Sequence, residues 1–137
     1  MIYVTRREVF SSSHRLYNPN FSEIENERIY GKCSNPNGHG HNYTLEVIIC
    51  GQIDPLTGYV IDLKILKEII IENVIQKVDH KNLNLDVDFL KGKIPTSENI
   101  CTGIWNQLID KIPSGKLYSI KLYETENNYV EYKGVSH

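Results

Sequence analysis

No stretch of this sequence stays apolar over the ~20 residues that crossing a bilayer demands, and no internal repeat or low-complexity tail interrupts it. The net charge is only −2. Such a balance points neither to nucleic acid nor to an anionic membrane surface, so neither is expected as a partner, and an anionic ligand would have to be held by a local patch. Cysteine occurs three times. An odd, small number of thiols in a chain with no recognisable leader argues against a disulfide framework, and a reducing, cytoplasmic setting is expected. The 137 residues suffice for one domain with a real core and are too few for two, so a single domain over residues 1–137 is expected.

Histidine carries the signal instead. The stretch from Cys33 to His41 reads Cys-Ser-Asn-Pro-Asn-Gly-His-Gly-His, and Ser13-His14-Arg15 precedes it. His39 and His41 run into Asn42-Tyr43-Thr44-Leu45-Glu46-Val47-Ile48-Ile49, a β-branched run in which residues two apart share a face. Both imidazoles therefore point to the side of Tyr43, Leu45, Val47 and Ile49. Two imidazoles on one face can share a metal, and His14, at the end of the strand-like run from Tyr3, is the third ligand expected. Three neutral imidazoles with a fourth position open form the ligand set of a catalytic zinc ion, Zn2+. Taken alone, His39-Gly40-His41 reads equally well as a surface turn that happens to carry two histidines.

The remaining elements follow from pattern. Residues 2–13 form the first strand, with the three serines expected to bend or fray its end. Residues 17–32 form an excursion between strands, where Ser22 followed by Glu25 caps a short helical turn. After the second strand comes Asp54-Pro55-Leu56-Thr57-Gly58, a turn, and then a brief strand at Tyr59-Val60-Ile61. Asp62 caps a helix whose apolar row is Leu63, Leu66, Ile69, Ile70, Val74 and Ile75. Thr96 or Ser97 caps another, with Ile100, Cys101, Ile104, Trp105, Leu108, Ile109 and Ile112, ending at Pro113-Ser114-Gly115. Strands at 117–124 and 129–133 close the chain around the turn Thr125-Glu126-Asn127-Asn128. The expected fold is α+β: a four-stranded antiparallel sheet with two helices on one face. Its unmet edges predict an oligomer.

Further residues stand out beside the histidines. Cys33 lies in a polar turn, either as an accessible thiol or as an incidental loop cysteine, whereas Cys50 and Cys101 sit in apolar rows as small core residues. Asp79-His80 closes the first long helix, where a carboxylate beside an imidazole reads as a tautomer-setting pair or simply as a helix C-cap. Glu124 shares its parity with Tyr118, Ile120 and Leu122. A carboxylate on an apolar face needs a partner, either a lysine of the sheet or a ligand with paired donors.

The string Cys33-x-x-Pro36-Asn37-Gly38-His39-Gly40-His41-Asn42-Tyr43, with Ser13-His14-Arg15-Leu16, Val78-Asp79-His80-Lys81-Asn82-Leu83 and Tyr123-Glu124-Thr125-Glu126-Asn127-Asn128, closely resembles the 6-pyruvoyl-tetrahydropterin synthase family over nearly the whole chain. The resemblance implies the tunnelling fold, in which the sheets of three subunits close into a barrel and two such rings stack as a hexamer. It implies a zinc-dependent lyase that converts 7,8-dihydroneopterin triphosphate to 6-pyruvoyl-tetrahydropterin with release of triphosphate, in tetrahydrobiopterin biosynthesis. It assigns zinc to His14, His39 and His41, general base chemistry to Cys33, a proton relay to Asp79 and His80, and anchoring of the pterin to Glu124. It also places Thr96, Ser97 and Glu98 at the pterin pocket, where a helix N-cap explains them equally well. For the triphosphate, Arg6, Arg7, Arg15, Lys32 and Lys81 are available, and sequence does not choose among them.

Two rivals share the fold. A 6-carboxy-tetrahydropterin synthase of the queuosine pathway usually has three residues between its cysteine and first zinc histidine, whereas this chain has five, Ser34 to Gly38. A non-catalytic pterin- or zinc-binding barrel protein would need none of Cys33, Asp79, His80 and Glu124 together.

Overall fold

In the computed structural model, which describes residues 1–135, two long strands form the frame. Strand β1 (Ile2–His14) pairs antiparallel with β2 (His39–Gly51) along its whole length, from Ile2 opposite Gly51 to His14 opposite His39. Alternation sends Phe10, Ser12 and His14 of β1 and Tyr43, Leu45, Val47 and Ile49 of β2 to the buried side. Strand β4 (Lys116–Tyr123) pairs with β2, and β5 (Tyr129–Tyr132) pairs with β4, both antiparallel.

The expected excursion contains helix α1 (Glu23–Tyr30), capped at Ser22, whose hydroxyl accepts from the Glu25 N–H at 3.1 Å. Helix α2 (Leu63–Ile70) is capped by Asp62 and runs on through a π-helical turn at Ile71–Ile75 into the short α3 (Gln76–Val78). Helix α4 (Ser97–Leu108) takes Thr96 as its N-cap, accepting from Asn99 N–H at 3.2 Å. Leu66, Ile70, Val74 and Val78 join Ile100, Ile104, Trp105 and Leu108 in one core with Phe10, Tyr43, Leu45, Val47, Ile120 and Leu122. The helices thus cover one face of the sheet, as their apolar rows predict.

The structure corrects four expectations. The sheet has five strands in the order β3-β1-β2-β4-β5, because Lys81–Asn82 forms a two-residue β3 parallel to Ser12 and Ser13. Backbone bonds hold it there, His80 N–H to Ser11 O at 2.6 Å and Leu83 N–H to Ser13 O at 2.8 Å. Two residues show no alternation, so sequence gives no sign of it. For the same reason the serines do not fray: Ser11–Ser13 lie between β2 and β3, and the buried Ser12 hydroxyl donates to Val78 O at 2.5 Å. Tyr59-Val60-Ile61 is not a strand but a bend whose Val60 and Ile61 enter the core. Tyr118 sits at a register shift opposite Ile48 and Ile49 and is exposed against Tyr3, unlike the buried Ile120 and Leu122. The sheet of the single chain is open, with β3 and β5 at its edges. Among the described residues no helix is long and apolar enough to cross a membrane.

Candidate metal centre

The β1–β2 register builds the centre. His14 ends β1 directly opposite His39, which starts β2, and His41 lies two residues on, on the same face. Gly38 (φ +70°) lets the chain enter β2 against His14, where a Cβ would stand 2.9 Å from the His14 carbonyl oxygen. The ring centroids are 4.7 to 5.1 Å apart, and one ligand nitrogen from each histidine can be chosen so that all lie within 4.8 Å of one another.

Hydrogen bonding fixes which nitrogen is free. His14 Nδ1 is 2.8 Å from the Pro95 carbonyl oxygen, which can only accept, so Nδ1 carries the proton and Nε2 keeps its lone pair. The His14 and His39 Nε2 atoms are 3.2 Å apart. Two imidazole nitrogens bound to one tetrahedral zinc at ~2.0–2.1 Å stand about 3.3 Å apart. His41 Nε2 is buried without a hydrogen-bond partner among the described residues. Glu124 Oε1 lies 3.3 Å from it, but the pair fails the geometry of a hydrogen bond. An orphaned buried nitrogen beside two imidazoles, one of fixed tautomer, fits a soft-to-borderline cation. Burial, the largest cause, lowers the pKa values of His14 and His41 and so favours the neutral, ligating form.

Glu124 follows the last residue of β4, and its other oxygen accepts from the Ser97 hydroxyl at 2.7 Å. Ser97 therefore belongs to the centre. Thr96 is spent on the N-cap, and Glu98 is exposed in the first turn of α4. Tyr43, fully buried, brings its hydroxyl within 3.4 Å of His14 Nδ1, and burial raises its pKa. Its parity with the two histidines of β2 was legible, but the Pro95 carbonyl was not, since a backbone acceptor leaves no mark in sequence.

The other expected residues lie apart. Asp79 Oδ1 accepts from the Ser11 N–H at 2.9 Å, the main cause of its lowered pKa, and lies 3.0 Å from His80 Nδ1. His80 has a left-handed backbone (φ +58°), an uncommon conformation for a residue with a Cβ, held here by its N–H bond to Ser11 O. Its side chain is 83% exposed and lines a shallow depression shared with His41. Cys33 sits half-buried on the 3-10 turn Gly31–Ser34, whose backbone is tied to β1's exit by Leu16 N–H to Cys33 O at 2.8 Å. Among the described residues its thiol makes no hydrogen bond to Asp79 or His80.

An α+β sheet with three histidines placed closely enough to bind a metal and a carboxylate at their rim is the arrangement of a metalloenzyme-type class of protein. The family model for 6-pyruvoyl tetrahydropterin synthase matches residues 3–135, and the chain belongs to that family of enzymes. It is 50% identical over 131 residues to the 6-pyruvoyl tetrahydrobiopterin synthase of Homo sapiens, covering 96% of this chain and 90% of that one. The Dictyostelium discoideum protein of the same name is 51% identical over 133 residues, covering 97% and 96%. The solved structure of Caenorhabditis elegans 6-pyruvoyl tetrahydropterin synthase superposes with a TM-score of 0.92 at 39% identity, covering 98% of this chain and 96% of that one.

Proposed function

We propose that the protein is a zinc-dependent lyase acting on 7,8-dihydroneopterin triphosphate, with 6-pyruvoyl-tetrahydropterin and triphosphate as products. The observation that carries this reading is the Glu124 carboxylate 3.3 Å from the buried, unpartnered Nε2 of His41. It sets an acceptor for a heterocycle's paired N–H donors beside a cation site. The side-by-side N3–H and 2-amino group of a pterin match a carboxylate already oriented by Ser97.

His14, His39 and His41 hold the zinc, which when bound supplies Lewis acidity toward the side-chain hydroxyls. Cys33 takes the proton from the acidified carbon as general base, and His80, oriented by Asp79, relays it. Triphosphate leaves from the adjacent carbon, and the two electrons given up as the side-chain carbinol becomes a ketone are taken up with protons by the C6=N5 bond of the dihydropterin ring, so no external electron carrier is needed. The role of Thr96 is confined to capping α4, and Ser97 acts through Glu124.

The open sheet edges support assembly into a trimeric barrel and, by stacking of two rings, a hexamer. The modest charge and the unpaired cysteines support a cytoplasmic setting. The five-residue spacing from Cys33 to His39 favours the pyruvoyl over the 6-carboxy reaction. Identification of the product by mass tests the choice: a 6-pyruvoyl product is expected, and a 6-carboxy product with acetaldehyde would reverse it.

A further inference from the structure

A cavity lies where β1 ends and β2 begins, walled by Arg15, Tyr17, Asn37, Gly38, Asn84 and Lys93 among others. Arg15 follows the ligand His14 in the chain and Gly38 precedes the ligand His39. The full lining contains two cations, five asparagines and no carboxylate. In a chain of net charge −2, the sign here is the reverse of the whole.

Arg15 is held on every side except its tip. Its Nε donates to Ser34 O at 2.8 Å, and its guanidinium carbon lies 3.9 Å from the centroid of the Tyr17 ring. Its backbone is clamped by the Asn84 side chain: Arg15 N–H donates to Oδ1 at 2.7 Å, and Nδ2 donates to Arg15 O at 2.9 Å. That amide imitates a strand neighbour where β3 has ended. The terminal guanidinium nitrogens have neither a hydrogen-bond nor a carboxylate partner among the described residues. A guanidinium fork fixed in place with its terminal N–H groups open is preorganised for a bidentate oxyanion.

The other basic side chains are placed differently. Arg6 is paired with Glu8 and Arg7 with Glu46. Lys32 borders a neighbouring hollow with Glu23 and Glu27, which Arg15 and Tyr17 also border from their other side, and Lys81 lies in the depression with His41 and His80. Lys93, which the sequence did not single out, is exposed and has no carboxylate partner among the described residues.

We infer that this cavity is the polyphosphate subsite, with Arg15 as the fork that grips the anion and Lys93 as its second cation. The inference rests on the reading of the centre as a pterin triphosphate site. In such a substrate the phosphates are esterified to the same short polyol whose hydroxyls face the metal. The chain neighbours of two metal ligands are therefore where they should be met.

Calorimetric titration of inorganic triphosphate into the zinc-loaded full chain reads this subsite without any turnover. Wild type, Arg15→Ala, Arg15→Lys and Lys93→Ala are each titrated with triphosphate and, separately, with 7,8-dihydroneopterin, which lacks phosphates. Arg15→Ala is expected to weaken triphosphate about tenfold or more, the usual worth of a charge-assisted pair. Arg15→Lys, keeping charge but losing the fork, should fall between, and Lys93→Ala, at an exposed position, should weaken triphosphate without touching the fold. Dihydroneopterin affinity and zinc content should stay at wild-type values. Triphosphate binding that is absent from wild type, or equal in wild type and all variants, overturns the subsite, as does an equal loss of dihydroneopterin. If wild type binds triphosphate through Arg15 but not dihydroneopterin, the subsite stands and the pterin reading falls.

Discussion

His14 and His39 are direct partners across the β1–β2 ladder, and their Nε2 atoms stand 3.2 Å apart. That separation suits two ligands of one zinc ion. His39→Ala removes one of them while the backbone ladder stays. Elemental analysis should find roughly one zinc per subunit in wild type, and the variant is expected to remain folded by circular dichroism while losing most of it. Full retention of metal by a folded variant would refute the ligand set.

The centre should also set an acid limit on the metal-free protein. Burial lowers the pKa values of His14 and His41, so between the folded values and the ordinary ~6.5 the unfolded chain binds more protons. Their neutral forms stabilise the fold fully above about pH 6.5, and this contribution is lost as pH falls below it. Urea midpoints of zinc-free protein should therefore fall on acidification from pH 7.5 to pH 5.5. A midpoint that rises over this range would contradict neutral, desolvated imidazoles.

Much of this was legible because the governing period is two. Alternation in β2 put His39, His41 and Tyr43 on one face, and the end of β1 supplied His14 from 25 residues away. What stayed hidden were contacts that leave no pattern. The Pro95 carbonyl that fixes His14's tautomer is backbone, β3 is two residues long, and the bulge that exposes Tyr118 depends on pairing across strands. Ser97 could be read as a cap, and only the structure shows Thr96 capping while Ser97 reaches Glu124. The stacking of Arg15 on Tyr17 likewise comes from the folded excursion.

Glu124 is the acceptor proposed for the pterin's paired donors. Glu124→Gln replaces one acceptor oxygen with a donor, so affinity for 7,8-dihydroneopterin should fall about tenfold or more in calorimetry. Zinc content should be unchanged, because His14, His39 and His41 remain. Unchanged pterin affinity would return Glu124 to a merely structural role.

Exposed edges at β3 and β5 call for partners. Light scattering is expected to give a mass six times that of the 15.8 kDa chain. A fully active monomer would exclude both the barrel and a site shared between subunits.

The most direct measurement incubates the zinc-loaded protein with 7,8-dihydroneopterin triphosphate, follows triphosphate release and identifies the pterin by mass, for wild type and Cys33→Ala in parallel. Wild type should yield 6-pyruvoyl-tetrahydropterin. Cys33→Ala should keep its zinc and bind pterin while turning over about 10²-fold more slowly or worse, the usual worth of a positioned general base. No turnover by a folded, zinc-loaded and pterin-binding wild type would contradict the assignment as an enzyme, and undiminished turnover by Cys33→Ala would contradict proton abstraction by that thiol.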